Sequence, residues 1–450
     1  PLSAGRQMGG HYATRNLDKE GNWKNLMEQR NSSSDISPTA GQMPRLVGLA
    51  QASKVYRNNS NLHTETFQKF SNKGNEVAFG TIGDASTSEG PFWESINAMG
   101  VMQVPVVMSV WDDGYGISVP REYQTTKGSI SEALAGMQRT KDKPGYEIFV
   151  TKGWDYPHLC DTYEKAVKIA REEHVPVLVH VQEVNQPQGH STSGSHERYK
   201  SAERMQWEKD FDCITKFREW ILTFNANGLV LADEAQLDEI AKEAKDSVRN
   251  SKNEAWKAFT ADIKKDIDSL LPILHSLSQD AECGKSIEAI AAEMGKAFEP
   301  MRKDILGYAR RALRLAVNSV SPSKKSLQQW IQEAININFD RYSAVLHSAS
   351  SHAATKIPAI LPEYDADVKM EDGRIILREN YRKLLEKYPE VLVYGEDAGK
   401  IGGVNQTLEG LQDQFGEIRV FDTGIRECTI IGQGIGMAMR GLRPIAEIQY

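Results

Sequence analysis

Several things are missing from this chain, and each absence removes a class of function. There is no run of about eighteen uninterrupted apolar residues, so no segment reads as a membrane span. The opening stretch, PLSAGRQMGG, lacks the basic-then-apolar layout of a secretory signal. Cysteine is scarce: Cys160, Cys213, Cys283 and Cys428 stand apart, with no Cys-x-x-Cys pair. That argues against a zinc knuckle or a disulfide framework and fits a reducing compartment. A basic excess is missing too. The formal charge is −7 with signs interspersed, so no face is set up for a phosphate backbone and no nucleic-acid partner is expected. What is present, 450 residues of which 40% are apolar, suffices for roughly two to four globular domains.

From about Asp35 to Val184 the pattern alternates helix and strand. A helix is expected from Thr39 to about Tyr56, a buried strand at EVAFGTIG (Glu76 to Gly83) and a short helix at PFWESINAMG (Pro91 to Gly100). VPVVMSV, YEIFVT and VPVLVHVQEV repeat the apolar, β-branched signature, with a helix over Asp161 to Glu173. Apolar strands separated by helices imply a parallel sheet covered on both faces. From about Ser201 to Pro362 the texture becomes that of amphipathic helices, and KIPAILPEY then reads as a linker. The α/β rhythm returns with a helix from Ile375 to Lys387, strands VLVYG and RVFDT, a helix from about Glu427 to Arg440, and a last strand in RPIAEIQY. That α/β stretch makes a small, open-edged sheet, so the chain is expected to be the front portion of a longer one.

Two acids close strands in the first half. Asp84 follows the strand ending at Gly83, and Asp113, in SVWDDGYGISVP, closes the strand 29 residues later. One intervening helix makes these strands expected neighbours, and ligands of open α/β sheets bind at the carboxyl edge. Two acids and the Tyr115 carbonyl could then share one magnesium ion with phosphate oxygens. Acids and glycines are also ordinary loop residues, so spacing alone leaves both readings open.

GDAS followed by DDGYGIS resembles the thiamine diphosphate motif, which opens Gly-Asp-Gly or Gly-Glu-Gly and closes Asn-Asn. GRQMGGHYAT, SPTAGQMPRLVGLA, GDASTSEGPFWESINAMG, DDGYGISVP and GHSTSGSHERYKS look, in order, like the α subunit of the thiamine-dependent decarboxylating component of 2-oxo acid dehydrogenase complexes, most of all the branched-chain type. The stretch from VLVYGEDAGK to the end looks like the start of its β subunit. The resemblance implies an α/β chain with two thiamine diphosphate-binding-fold domains, parallel sheets flanked by helices, joined by a long helical connector. Residues 1–255 would be the α-subunit-like diphosphate and magnesium domain, 256–362 the connector, and 363–450 the start of the aminopyrimidine domain.

Carried over residue by residue, the resemblance makes Asp84, Asp113 and the Tyr115 carbonyl the metal ligands. Gly83, Ala85 and Ser86 would line the diphosphate, Ile117 joins the cofactor-binding set, and Ser37 and Thr39 meet the aminopyrimidine. Glu427 would donate a hydrogen bond to the pyrimidine ring nitrogen, and His190 would sit near the reacting centre. The residues alone leave other roles open: Glu427 as a first-turn helix glutamate, His190 as a solvated loop residue, His11, substrate-facing by the resemblance, as a structural histidine, and Ser37-Pro38 as an ordinary helix start. Among Ile425, Cys428, Ile430 and Ile431, Glu427 is expected to be buried and therefore neutral. Ser191 aligns with a serine phosphorylated in animal branched-chain enzymes. GQGIGMAMRG lacks the Gly-x-Gly-x-x-Gly spacing of a dinucleotide loop, so its glycines are assigned to close helix packing.

The implied activity is oxidative decarboxylation of a 2-oxo acid, with the acyl group passed to the lipoyl group of a partner dihydrolipoamide acyltransferase. The implied assembly is a homodimer, in a bacterial cytoplasm rather than a mitochondrial matrix. A pyruvate or acetoin dehydrogenase component is the alternative within the class, and a silent scaffold that docks the acyltransferase core is the alternative outside it. Two departures bear on the choice. Trp111-Asp112-Asp113 stands where the family has Arg-Asn-Asn, and Thr39 replaces a usual leucine. The first is expected to make the site more negative by about two charges, each costing from ~1 kcal/mol in water to ~4 kcal/mol at an effective dielectric of 20, unless a lysine or arginine elsewhere offsets it.

Overall fold

The computed structural model describes residues 13–18, 20–34, 36–190, 194–343, 350, 351 and 353–450. His11 and Ser191 lie outside the described residues. The chain divides into an α/β unit, largely Trp23–Ala232 with Ile360–Tyr450, and a helical unit spanning Asp233–Ala359. Among the described residues no helix is long and apolar enough to cross a membrane.

The first half of the α/β unit runs α1 (Met43–Asn58), α2 (Glu65–Gln68), β1 (Ala78–Gly83), α3 (Gly90–Met102), β2 (Val106–Trp111), β3 (Tyr115–Gly116), β4 (Val119–Pro120), α4 (Ile130–Ala133), β5 (Glu147–Lys152), α5 (Tyr156–Glu173), β6 (Val177–Gln182), α6 (Ala202–Asp210) and α7 (Cys213–Thr223). Strands β1, β2, β6 and β5 form one sheet in that order, every pair parallel. The two acid-bearing strands are therefore neighbours, as their single intervening helix requires. Strand β2 shows why its sequence is apolar without alternation. Val106, Met108 and Val110 enter the core beneath α1 and α3, while Val107 enters the core under α5.

The helical unit contains α8 (Glu234–Asp280), α9 (Gly284–Gly295), α10 (Arg302–Leu315) and α11 (Pro322–Ser343). Leu270, Leu274 and Leu277 of α8 meet Ile287 and Ile290, Ile305 and Ala309, and Leu327 in a core of its own. Helix α8 is 47 residues long and opens at Asp233, whose side chain and Gln236 cap each other's backbone N–H groups. It therefore continues through residue 255, the end that the resemblance implied for the first domain.

Residues 357–372 carry no helix or strand. The α/β pattern then resumes with α12 (Gly373–Lys387), β7 (Val391–Gly395), α13 (Leu411–Phe415), β8 (Val420–Asp422), α14 (Glu427–Met439) and β9 (Arg443–Glu447). The second sheet is parallel, in the order β8, β7, β9. Helix α14 lies against α1 along a seam of glycines. A Cβ at Gly432 would come 2.3 Å from the Pro44 side chain, one at Gly48 1.9 Å from the Gln433 carbonyl oxygen, and one at Gly436 2.2 Å from the Arg45 carbonyl oxygen. Gly432 and Gly436 of GQGIGMAMRG thus serve close backbone approach. The contacts advance along both helices together, so the N-terminal ends of α1 and α14 lie at the same end of the seam.

Candidate active site

The site is assembled where β1 and β2 end. Gly83 is in register with Trp111, and the Asp84 N–H donates to the Trp111 carbonyl at 3.0 Å, which clamps the turn after β1 to the end of β2. Beyond Trp111 the chain is still held by β6: the Asp112 N–H donates to the Val181 carbonyl at 2.8 Å, and the Val184 N–H donates to the Asp112 carbonyl at 2.9 Å. Two successive aspartate turns follow. Asp112 Oδ1 accepts from the Gly114 N–H at 2.9 Å, and Asp113 Oδ1 accepts from the Tyr115 N–H at 3.1 Å. The β3–β4 hairpin then leans back on the turn after Asp84, where a Cβ at Gly116 would sit 2.8 Å from the Ala85 Cβ. Only glycine lets Tyr115 and Asp84 share one wall.

That wall belongs to a cavity of about 670 Å³. Of the residues singled out in the sequence, Thr39, Gly83, Asp84, Ala85, Ser86, Asp113, Tyr115, Ile117 and His190 all line it. Ile117 does so with φ +60°, a conformation that costs a β-branched residue and that recurs at functional sites. Thr39 Oγ1 donates to Glu89 Oε1 at 2.9 Å, tying the approach to α1 to the residue before α3.

Burial, followed by the neighbouring Asp112 and Asp113 carboxylates, pushes the Asp84 carboxyl well above the ordinary carboxylate range. Its Oδ2 is buried with no hydrogen-bond partner. Burial also raises Asp113, against the Tyr115 N–H and the charges of Lys200 and Arg204. A pair of crowded acids with an orphaned oxygen is unfavourable as it stands, and it is the donor set of a hard divalent cation. The residues present therefore fit magnesium. Among the described residues no three His, Cys, Asp or Glu side chains gather to hold a metal by themselves, so the two carboxylates would need backbone and phosphate oxygens to complete the shell.

Three expectations are corrected. Glu427 is exposed, not buried: α14 turns Gly432 and Gly436 toward α1 and sinks Ile430 and Met437 into the core that holds Tyr394, leaving Glu427, Cys428 and Ile431 outward, with the preceding Ile425 85% exposed. It does not line the cavity. Ser37 is exposed and is also absent from the lining. The negative charge of Trp111-Asp112-Asp113 does not all face the site. Asp112 is buried, and although burial opposes its anion, His180 and Arg121 outweigh that and hold its carboxyl below the usual range. Arg121 Nη1 lies 3.4 Å from Asp112 Oδ2, and Arg204 Nη2 donates to the Asp113 carbonyl at 3.0 Å. These are the offsetting cations that the charge argument demanded.

Sequence reasoning missed Gln124, Asn185 and Gln186, polar loop residues that join the lining and carry no signal of their own. It also missed His180, which did carry one: a histidine inside the apolar strand VLVHV needs buried partners.

Comparison with known proteins adds the following. The family profile described as "Dehydrogenase E1 component" matches residues 6–264, more than half of the chain. The profile "Transketolase, pyrimidine binding domain" matches residues 371–450. The pyruvate dehydrogenase E1 component subunit beta of Acholeplasma laidlawii is 54% identical over 66 residues, 15% of this chain and 20% of that protein. The 2-oxoisovalerate dehydrogenase subunit beta of Bacillus subtilis is 53% identical over 66 residues, again 15% and 20%. The chloroplastic pyruvate dehydrogenase E1 component subunit beta-2 of Arabidopsis thaliana is 35% identical over 135 residues, 28% of this chain and 33% of that protein. The chain thus spans between a fifth and a third of the length of these relatives.

Proposed function

Because this chain belongs to the dehydrogenase E1 component family, we propose that it decarboxylates a 2-oxo acid, using thiamine diphosphate and magnesium, and passes the acyl group to the lipoyl group of a partner acyltransferase. The observation that carries this reading is the Asp84–Asp113–Tyr115 wall with the unpartnered Asp84 oxygen inside one cavity. Asp84, Asp113 and the Tyr115 carbonyl hold the magnesium, and Gly83, Ala85 and Ser86 border the diphosphate. Thiamine diphosphate, when bound, supplies the electron sink that accepts the pair released as carbon dioxide leaves. Thr39 would border the aminopyrimidine, with Ser37 just before it, and Glu427, exposed at the start of α14, would meet the pyrimidine ring nitrogen. His190, which lines the cavity, would stand beside the reacting centre.

The parallel packing of α14 on α1 supports assigning Glu427 to the site of its own chain. Gly432 meets Pro44, and Glu427 lies five residues before it, about 7.5 Å of helix rise toward the end of the seam where Thr39 lines the cavity. Exposed Ile431 and Ile435 on the same helix support a second copy covering that face, and so a homodimer. The motifs GYGISVP and GHSTS support a branched-chain substrate.

The test is titration of the polypeptide with thiamine diphosphate and Mg2+, followed by carbon dioxide release from 3-methyl-2-oxobutanoate and from pyruvate. Saturable binding with faster release from the branched acid is expected, and Asp84→Ala should abolish both. Faster turnover of pyruvate would move the substrate assignment. No binding at millimolar cofactor would leave the scaffold reading. Mixing Glu427→Ala chains with Asp84→Ala chains should restore no activity, since each site is taken to be built within one polypeptide.

A further inference from the structure

Asp112 does not line the cofactor cavity, yet it is the best-anchored residue of the loop that does. Its backbone is bonded on both sides, to Val181 of β6 and to Val184 just beyond it, and its Oδ1 accepts from the Gly114 N–H. Its Oδ2 lies 3.0 Å from His180 Nε2. His180 is wholly buried at the centre of β6, in register with Val110 of β2 and Val150 of β5, so its ring cannot move without the sheet. The other ring nitrogen, Nδ1, lies 2.8 Å from Ser131 Oγ on α4, which in turn lies 3.2 Å from Ser129 Oγ, the residue that caps that helix. With hydrogen on Nε2, the imidazole donates to Asp112 and accepts from the Ser131 hydroxyl, so both ring nitrogens are satisfied.

We propose that Asp112 and His180 form a buried positioning pair that holds the Asp113–Tyr115 loop in the conformation a divalent cation requires. The inference rests on the metal reading given above. A buried imidazole between apolar neighbours is costly unless it is bonded at both ends. This one spends both bonds on linking a helix, a sheet and the metal loop. Asp112 Oδ2 has a weaker second partner in Arg121, which is half exposed and lies 3.4 Å away, while Arg204 Nη2 holds the loop farther on, at the Asp113 carbonyl. Without the imidazole, the carboxylate of Asp112 stays buried with one backbone donor and a distant guanidinium, and backbone bonds alone fix the start of the loop. Partners in this outer layer of a metal site are commonly worth about 10- to 100-fold in affinity.

The experiment measures Mn2+ binding to the full chain in the presence of thiamine diphosphate, by the electron paramagnetic resonance signal of free Mn2+ and by quenching of tryptophan fluorescence, of which Trp111, lining the cavity, supplies a part. His180→Leu fills the strand with an apolar side chain of similar size and is expected to weaken Mn2+ binding about 10- to 100-fold. His180→Gln keeps a donor toward Asp112 and is expected to recover most of that loss, which a merely space-filling role would not predict. Mn2+ affinity unchanged in His180→Leu, or no recovery in His180→Gln, overturns the pair. If His180→Leu does not fold, Ser131→Ala carries the test: a several-fold weakening supports the network, and an unchanged affinity overturns it. Wild-type protein that binds no Mn2+ would instead overturn the metal reading itself, whereas wild-type binding with indifferent variants overturns only the pair.

Discussion

Asp84 is a residue kept at the expense of stability. Its carboxyl is buried beside two other acids, and one oxygen has no partner. An amide of the same shape could donate to Asp112 and Asp113 instead of repelling them. Asp84→Asn is therefore expected to raise stability by about 1–2 kcal/mol while removing Mn2+ and cofactor binding, checked by thermal unfolding and titration of the same sample. Ile117 carries a second local cost. Its left-handed backbone (φ +60°) is worth about 1–2 kcal/mol of strain, and Ile117→Gly removes it against about 0.5–1 kcal/mol of added chain entropy. A net change between zero and about +1.5 kcal/mol is expected, with weaker cofactor binding. His174 illustrates the pH arm. It is buried at the end of α5, its Nε2 lies 3.2 Å from the Gly74 carbonyl oxygen, and burial followed by the Arg57 charge lowers its pKa to about 4. The unfolded chain takes up a proton near pH 6.5 and the folded one does not. The stability this contributes is intact above that pH and declines as the pH falls toward 4, by on the order of 2 kcal/mol. His174→Asn, which tolerates the left-handed position (φ +55°), should flatten that part of the profile in urea titrations at several pH values. At this scale the two strand-closing acids and their glycine-rich turns were readable, because residue type and spacing encode them. The exposure of Glu427 was not, because nothing local says which face of a helix another segment will cover.

At the scale of elements, the strands and helices of the α/β unit follow from their periodicity, and VLVYG occupies β7 residue for residue. The α1–α14 seam is different in kind. Its glycines are visible in the sequence, but their purpose appears only when two segments nearly four hundred positions apart are laid together. Gly48→Ala would press a methyl onto the Gln433 backbone, which cannot yield as a side chain could. A loss of about 1–3 kcal/mol or more is expected, together with weaker cofactor binding if Glu427 is aligned through this seam. Gly307, inside α10, meets nothing within 4 Å. Gly307→Ala should therefore stabilise the helical unit by about 0.5–1 kcal/mol, and denaturant midpoints of the two variants should move in opposite directions.

For the whole molecule, separate cores mean separable stability. Leu274→Ala, in the helical core, is expected to cost about 2–5 kcal/mol in the unfolding of that unit and to leave cofactor affinity within twofold of wild type, read by calorimetry and titration. A large fall in affinity would show that the helical unit supports the site. Composition and periodicity alone were enough to establish an α/β chain with a helical segment set into it, and two acids at the carboxyl edge of neighbouring parallel strands, since burial patterns and turn chemistry are written locally. Three things were decided only by the tertiary structure: Asp112 facing His180 instead of the cavity, Arg121 and Arg204 offsetting the surplus charge, and α14 laid on α1. Each depends on residues far apart in the chain whose pairing is set by how the sheets and helices pack.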